Sequence, residues 1–258
     1  MAFPRGTLFM RRRVAALVLT LVLAEAELEL VPENIVLHPQ VQRAARHKDR
    51  RPSRTLLDSS LHHEALRQVP EGERRGRPDL VHFAMLLGLD SALNQADELR
   101  IVVHTRNDER LAIHPDTRLM RNYPRFVGLM EKLFQEGASP KENPLLVLEP
   151  GWPLARILEH HKSGPIVAFH EKGAPVEPGA YLAAKREASP DLTVVLGAFP
   201  HGDFHAPAET WANEVVGLGG NALSVWTVEM EILAHWERAC KVFPRAVAPS
   251  PQAAPTPE

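Results

Sequence analysis

One cysteine, Cys240, stands in a chain of 258 residues. That excludes an intramolecular disulfide framework and any thiolate zinc site, so a reducing, cytoplasmic setting is expected. Neither sign of charge is in excess: 30 Lys and Arg face 32 Asp and Glu, for a formal net charge of −2. A bulk polycation is therefore excluded, and a polyanionic partner would have to be met by a local field. No GxGxxG follows a strand pattern and no GxxxxGK[ST] occurs, which removes the usual dinucleotide and P-loop cradles. The first apolar run, VAALVLTLVLAEA (14–26), is too short to span a bilayer as a helix, so no membrane partner is expected.

That run follows Arg11, Arg12 and Arg13 and so has the outline of a secretory signal. It also continues without a break into AEAELELVP, where Glu alternates with apolar residues at the period of a strand. A buried first strand is the favoured reading. Residues 1–13 fit no domain and are expected to be a disordered extension. The tail AVAPSPQAAPTPE (246–258), with four prolines, is expected to be disordered or polyproline-like.

Between these ends the pattern is that of one domain over 14–245. QVQRAARHKDRRPSR (40–54) gathers six Lys and Arg around one acid and reads as a solvated loop or an RNA-facing arm. LLDSSLHHEALRQV reads as a short strand entering a helix that Asp58 or the next serine can cap. Pro78 and Asp79 open an apolar helix in DLVHFAMLLGLD and Asp90 closes it. RIVVHT and RLAIHP flank RNDE, a hairpin pattern. In NYPRFVGLMEKLFQEG, Phe126, Leu129, Met130, Leu133 and Phe134 fall at helical spacing, with Gly137 as the stop; such a stripe is core. From 145 onward PLLVLE, WPLARILEHH, PIVAFHE, DLTVVLGAF and a last helix near 221–243 alternate strand and helix. Near-continuous apolar strands flanked by helices predict an α/β fold with a mostly parallel sheet covered on both faces.

Two features carry chemistry. Arg118, Arg121 and Arg125 recur at three and four residues in TRLMRNYPRF; if that segment is helical, the three guanidinium forks share a side and can engage successive phosphates. That points to RNA. Glycines at 197, 202, 217, 219 and 220 lie in LGAFPHGDF and VGLGGNALSVWTV, after apolar runs. In a parallel sheet such loops gather outside the carboxyl ends of the strands, so Phe169, His170, the 197–203 loop and the 218–223 loop can share one small ligand. Leu218, Ala222 and Leu223 supply an apolar wall for a flat ring, without a phosphate cradle. His201 and His205 have the spacing of a metal pair, yet the surrounding prolines and glycine break a helix and no third ligand follows, so no metal is expected. The pairs His62 with His63 and His160 with His161 are expected on the surface, Cys240 in the core, and Trp226 and Trp236 in packing or a subunit contact.

These segments, with LLDSSLHH, RRGRPDLVH, HTRND and HPDTRLMRNYPRFVGLMEKL, resemble the SPOUT superfamily of knotted methyltransferases. Within it the chain is similar to the nucleolar-essential-protein family of pseudouridine N1 methyltransferases of small-subunit ribosomal RNA. The resemblance runs from LTLVLAEAELELVP to CKVF, about nine-tenths of the chain. It implies a C-terminal trefoil knot, S-adenosyl-L-methionine as cofactor, and a homodimer packed through the knot. The cofactor would lie on Phe169, Gly197, Gly202, Asp203, Leu218, Gly219, Gly220, Asn221, Ala222 and Leu223. The RNA-binding set would be Arg77, Arg118, Arg121 and Arg125, with Asp79 holding Arg77, carried on insertions over about 40–135. Asp58 or Asp90 could assist removal of the N1 proton, although capping is the plainer role of each. A ribosome-assembly factor that binds rRNA without catalysis is the alternative. Met120, where the family commonly has proline, and the two terminal segments depart from the pattern.

Overall fold

The computed structural model describes residues 18–47, 49–219 and 222–243; the expectations for 1–13 and 246–258 lie outside them. In chain order the elements are β1 (Leu19–Ala26), α1 (Pro39–His47), α2 (Ser59–Leu66), α3 (Pro78–Asp90), α4 (Ala92–Gln95), β2 (Leu99–Thr105), β3 (Glu109–Ile113), α5 (Tyr123–Glu136), β4 (Ala138–Ser139), β5 (Leu146–Pro150), α6 (Leu154–His161), β6 (Ile166–Pro175), α7 (Pro178–Ala188), β7 (Leu192–Gly197), β8 (Glu214–Gly217) and α8 (Val225–Cys240). One sheet of order β4-β5-β3-β2-β1-β7-β6-β8 holds all eight strands. The five from β2 to β8 run parallel, and the β2/β3 hairpin opens an antiparallel edge through β3, β5 and β4.

β1 is the central strand because it is apolar on both sides. Leu19, Leu21 and Leu23 join one core with Val81 and Met85 of α3, Phe126 and Met130 of α5, Leu182 of α7 and Trp236 of α8. Val22 and Ala24 join the other, under Ile157 and Leu158 of α6. A third small cluster, including Val41, Leu57 and Leu66, seats α1 and α2 beside the sheet. The strand reading of 19–26 thus holds, and no helix among the described residues is long and apolar enough to cross a membrane. Cys240 is buried in the first core, as expected.

Local signals place several boundaries. Asp58 caps α2 by accepting from the Ser60 amide at 2.9 Å, Asn122 caps α5 from the Arg125 amide at 3.1 Å, and Gly137 stops α5 at φ 74°. Four expectations need correction. The arginine segment is not one helix: α5 begins at Tyr123 with Pro124 in its first turn, so Arg118 and Arg121 lie in the extended lead-in and only Arg125 is helical. The basic 40–54 stretch is not all loop, since 39–47 form α1 around buried Val41 and Ala45. The glutamate alternation does not continue the strand. β1 ends at Ala26, and Glu25, Glu27 and Glu29 are all buried, because arginines from the 71–77 turn and from Arg106 reach them. His62 is buried rather than exposed, at a kink in α2, where its Nδ1 accepts from the Asp58 amide at 3.1 Å. The second histidine pair behaves differently: His161 is half-buried, and desolvation together with the Arg110 guanidinium pushes its imidazole down to about 4.

Glu229 faces inward from α8 toward Gly88 of α3 and Ile101 of β2, and neither carboxylate oxygen has a hydrogen-bond partner among the described residues. Burial raises its pKa well above the ordinary 4.5. From 4.5 upward to that folded value the native state holds a proton the unfolded chain has lost, so stability falls as pH rises through this range. Glu229→Met is expected to raise the melting temperature at pH 8 and flatten its pH dependence, recovering about 1–3 kcal/mol of unmet desolvation. Thermal denaturation from pH 5 to pH 9 reads both.

Candidate active site

The carboxyl ends of the parallel strands stop at one level: Phe169 pairs with Leu196 and with Val216, and Gly197 with Ala24. The loops that leave them open a cleft of ≈ 270 Å³. It is lined by Phe169, Gly197, Gly202, Leu218, Gly219, Ala222 and Leu223 from the expected set. Gly220 and Asn221 lie outside the described residues. Asp203 stands behind the rim: its carboxylate takes Lys172 Nζ at 2.8 Å and faces His170 Nε2 at 3.1 Å, and chiefly the lysine holds its pKa below the ordinary value. Gly197 is required by packing, because a Cβ there would sit 2.6 Å from the Phe199 ring.

The remaining walls went unread in the sequence. Leu80 of α3 and Val225, Trp226 and Val228 of α8 close the apolar side, and Glu171 joins the lining. Periodicity assigned the α3 and α8 residues to helices but cannot say which helix end meets which strand end. His201 lines the cleft, and His205, the other half of the supposed metal pair, turns its Nδ1 to Glu25 at 2.8 Å.

Arg77 also lines this cleft. It is the last residue before α3, and Asp79 holds its guanidinium through two parallel bonds of 2.8 Å. That pairing outweighs burial and raises the Arg77 pKa further. Arg118, Arg121 and Arg125 are exposed and do not line the cleft. Their segment instead runs beside α3: the Met120 carbonyl accepts from His82 Nε2 at 2.8 Å, and Arg121 lies 3.7 Å from Asp90 at the far end of the helix. Thirteen helical residues put that end about 18 Å from Arg77.

The two carboxylates considered for proton removal separate. Asp58 is buried and committed, accepting from the Ser60 amide, from Ser60 Oγ at 2.5 Å and from the Tyr123 hydroxyl at 2.6 Å. Burial first, and the Asp58 carboxylate next, hold the Tyr123 phenol protonated by raising its pKa. Asp90 caps nothing and is exposed beside Arg121.

A glycine-turned cleft of mixed apolar and polar lining at the carboxyl rim of a parallel sheet, with a pinned arginine in its wall, fits a group-transfer enzyme. The class is a methyltransferase. A family model described as EMG1/NEP1 methyltransferase matches residues 21–237, and the chain belongs to that family. It is 46% identical over 224 residues to the "Ribosomal RNA small subunit methyltransferase Nep1" of Thermococcus kodakarensis, covering 86% of this chain and 98% of that protein. The protein of the same name from Pyrococcus furiosus is 42% identical over 222 residues, 85% of this chain and 96% of its own. The crystal structure of Archaeoglobus fulgidus Nep1 bound to S-adenosylhomocysteine superposes with a TM-score of 0.75 at 37% identity, over 86% of this chain and 98% of that one.

Proposed function

We propose that this chain transfers the methyl group of S-adenosylmethionine to N1 of a pseudouridine in small-subunit ribosomal RNA, as a cytoplasmic homodimer with a C-terminal trefoil knot. The methyltransferase class, the rRNA substrate of the relatives and the S-adenosylhomocysteine of the solved relative agree with the site. One observation carries the finer reading: Arg77 belongs to the arginine set and to the wall of the cleft at once. A base gripped there reaches whatever the glycine loops hold. The cleft offers S-adenosylmethionine an apolar wall beside open backbone, and two charged residues of its lining, Glu171 and Arg77, are of opposite sign.

When bound, that cofactor supplies an electrophilic methyl on a sulfonium. The chain's residues do the rest by placement. Arg77, held in orientation by Asp79, presents its free edge to a phosphate or stacks on an unpaired base, while Arg118, Arg121 and Arg125 hold the flanking backbone. Pseudouridine exposes N1 as an N–H, which uridine lacks. Aligning that nitrogen with the methyl supplies much of the rate, and Leu218, Trp226 and Val228 keep water from the contact. Asp58 is tied down and Asp90 stands about 18 Å from Arg77 at the far end of α3, outside the cleft, so neither is placed to take the proton, and water is the acceptor.

Labelled S-adenosylmethionine tested on a pseudouridine hairpin and on its uridine twin decides the substrate. Methyl transfer to the first alone is expected. Equal labelling of both would overturn the N1 assignment, and S-adenosylhomocysteine binding without transfer to either would restore the assembly-factor reading. Asp90→Asn is expected to leave kcat across pH 6–9 and cofactor affinity unchanged; a kcat that falls with it would make Asp90, not water, the acceptor of the proton.

The homodimer rests on an apolar ridge where α3 meets α8. Phe83 is 51% exposed and Met230 48%, with Phe83 and the half-buried Trp226 5.3 Å apart between ring centroids. Leu223 and Trp226 border both the ridge and the cleft, so a second copy docked there would help to close the site. Met230→Glu is expected to halve the mass seen by light scattering while circular dichroism stays native, and to cut methylation by about tenfold or more, the cost of a charge in an apolar contact.

A further inference from the structure

The turn between α2 and α3 holds a second arginine that the transfer described above does not use. Arg74 is 7% exposed and every edge of its guanidinium is engaged. Nε donates to Glu27 Oε1 at 2.8 Å, one terminal nitrogen to Glu25 Oε2 at 2.6 Å, and the other to the carbonyl of Asp203 at 2.6 Å. Its flat face lies 3.7 Å from the centroid of Phe199. Glu25 also accepts the His205 amide at 2.9 Å. The loop after β7 is therefore gripped at 199, 203 and 205 by Arg74 and its glutamate, and the cleft-lining Gly197, Phe199, Pro200, His201, Gly202 and Phe204 belong to that loop or its base.

Two further facts distinguish this clamp from ordinary packing. β1 slips register against β2 between Leu23 and Ala26, and Glu25 sits there at φ 51°, a left-handed conformation that costs a side-chain-bearing residue about 1–2 kcal/mol. Strain of this kind persists where neighbours over-determine it, here to aim Glu25 at Arg74 and His205. A buried ion network is also a poor source of stability, since well-packed apolar residues often serve as well. Arg74 lies three residues before Arg77, whose amide donates to the Glu27 carbonyl at 3.0 Å. One short turn thus touches the cofactor loop with one arginine and supplies the cleft with the other.

We propose that Arg74 is a positioning residue for methyl transfer: it holds the 198–205 loop in its cofactor-binding shape and in fixed relation to Arg77. The proposal rests on S-adenosylmethionine occupying the cleft. Arg74→Lys keeps the charge but loses the fork and the stacked face, and Phe199→Leu removes the stacking partner while leaving Glu25 and Glu27 paired. In the full chain, Arg74→Lys is expected to raise the Kd for S-adenosylhomocysteine and the KM for S-adenosylmethionine by about ten- to a hundredfold, the weight of hydrogen bonds to a charged group. Phe199→Leu is expected to raise both by about three- to tenfold. RNA affinity measured without cofactor stays at the wild-type value in both, which a general loss of fold would not allow. Ala222→Trp, which fills the cleft, is the control. If it leaves cofactor affinity intact, the cleft assignment fails. If it abolishes binding while Arg74→Lys and Phe199→Leu bind as wild type, the cleft stands and the role of Arg74 is overturned. Should Arg74→Lys not fold, Glu25→Gln, which weakens one edge of the clamp without touching the cleft lining, is expected to raise the same Kd and decides in its place.

Discussion

Gly197→Val is expected to remove cofactor binding while sparing RNA binding. A Cβ at 197 meets the Phe199 ring at 2.6 Å, well inside contact distance. That ring cannot retreat freely, because Arg74 lies 3.7 Å from its centroid on one side and Phe204 packs edge-on with centroids 5.4 Å apart. The branched side chain therefore either drives Phe199 into the cleft or displaces the loop. Overpacking of this kind costs about 1–3 kcal/mol of stability, yet the loss in affinity for S-adenosylhomocysteine is expected to exceed a hundredfold, since a whole wall moves rather than one contact. Calorimetry with S-adenosylhomocysteine, beside RNA titration of the same preparation, reads the two separately. An affinity within threefold of wild type would take the β7 rim out of the cofactor site.

Arg77→Met is expected to lower kcat/KM by about a hundred- to a thousandfold, with cofactor affinity changed far less. The substitution removes the one arginine that lines the cleft among the described residues and leaves Asp79 without its partner at the start of α3. Asp79→Asn breaks one of the two parallel bonds and is expected to give an intermediate loss. The exposed arginines behave differently. Alanine at Arg118, Arg121 and Arg125 together weakens RNA binding at every step and reduces the salt slope of log K by about 2, at about 0.7 per phosphate contact on a single strand. Methylation at saturating RNA recovers in that triple variant and does not in Arg77→Met. Equal recovery in both would make Arg77 a fourth anchoring arginine rather than a residue of the reaction site.

Where the sequence spoke clearly, it spoke through interactions a few residues long. Pro78 and Asp79 begin α3, Asn122 and Gly137 bound α5, and the apolar runs of β1, β6 and β7 report strands buried on two faces. The same rules misled wherever distant partners changed the meaning of a pattern. Glu25, Glu27 and Glu29 alternate like the wet face of an edge strand, but Arg74, Arg75 and Arg106 arrive from 46 to 79 positions away and bury all three. Arg118 and Arg121 keep helical spacing, yet helix α5 cannot start before its own cap. The short β8 and the helix α7 passed unread, because a four-residue strand and an alanine-rich helix with one buried side chain carry little periodic signal.

The family motifs and the local caps were properties of the chain alone, because a proline ring, a capping side chain or an apolar run acts on its immediate neighbours whatever lies beyond. The union of Arg77 with the glycine loops, the committed state of Asp58 against the open one of Asp90, and the Arg74 clamp came only with the tertiary structure. They depend on strand order, which brings the ends of β1, β6, β7 and β8 to one rim beside the start of α3. Strand order is settled by the packing of the two cores as a whole and by no single segment.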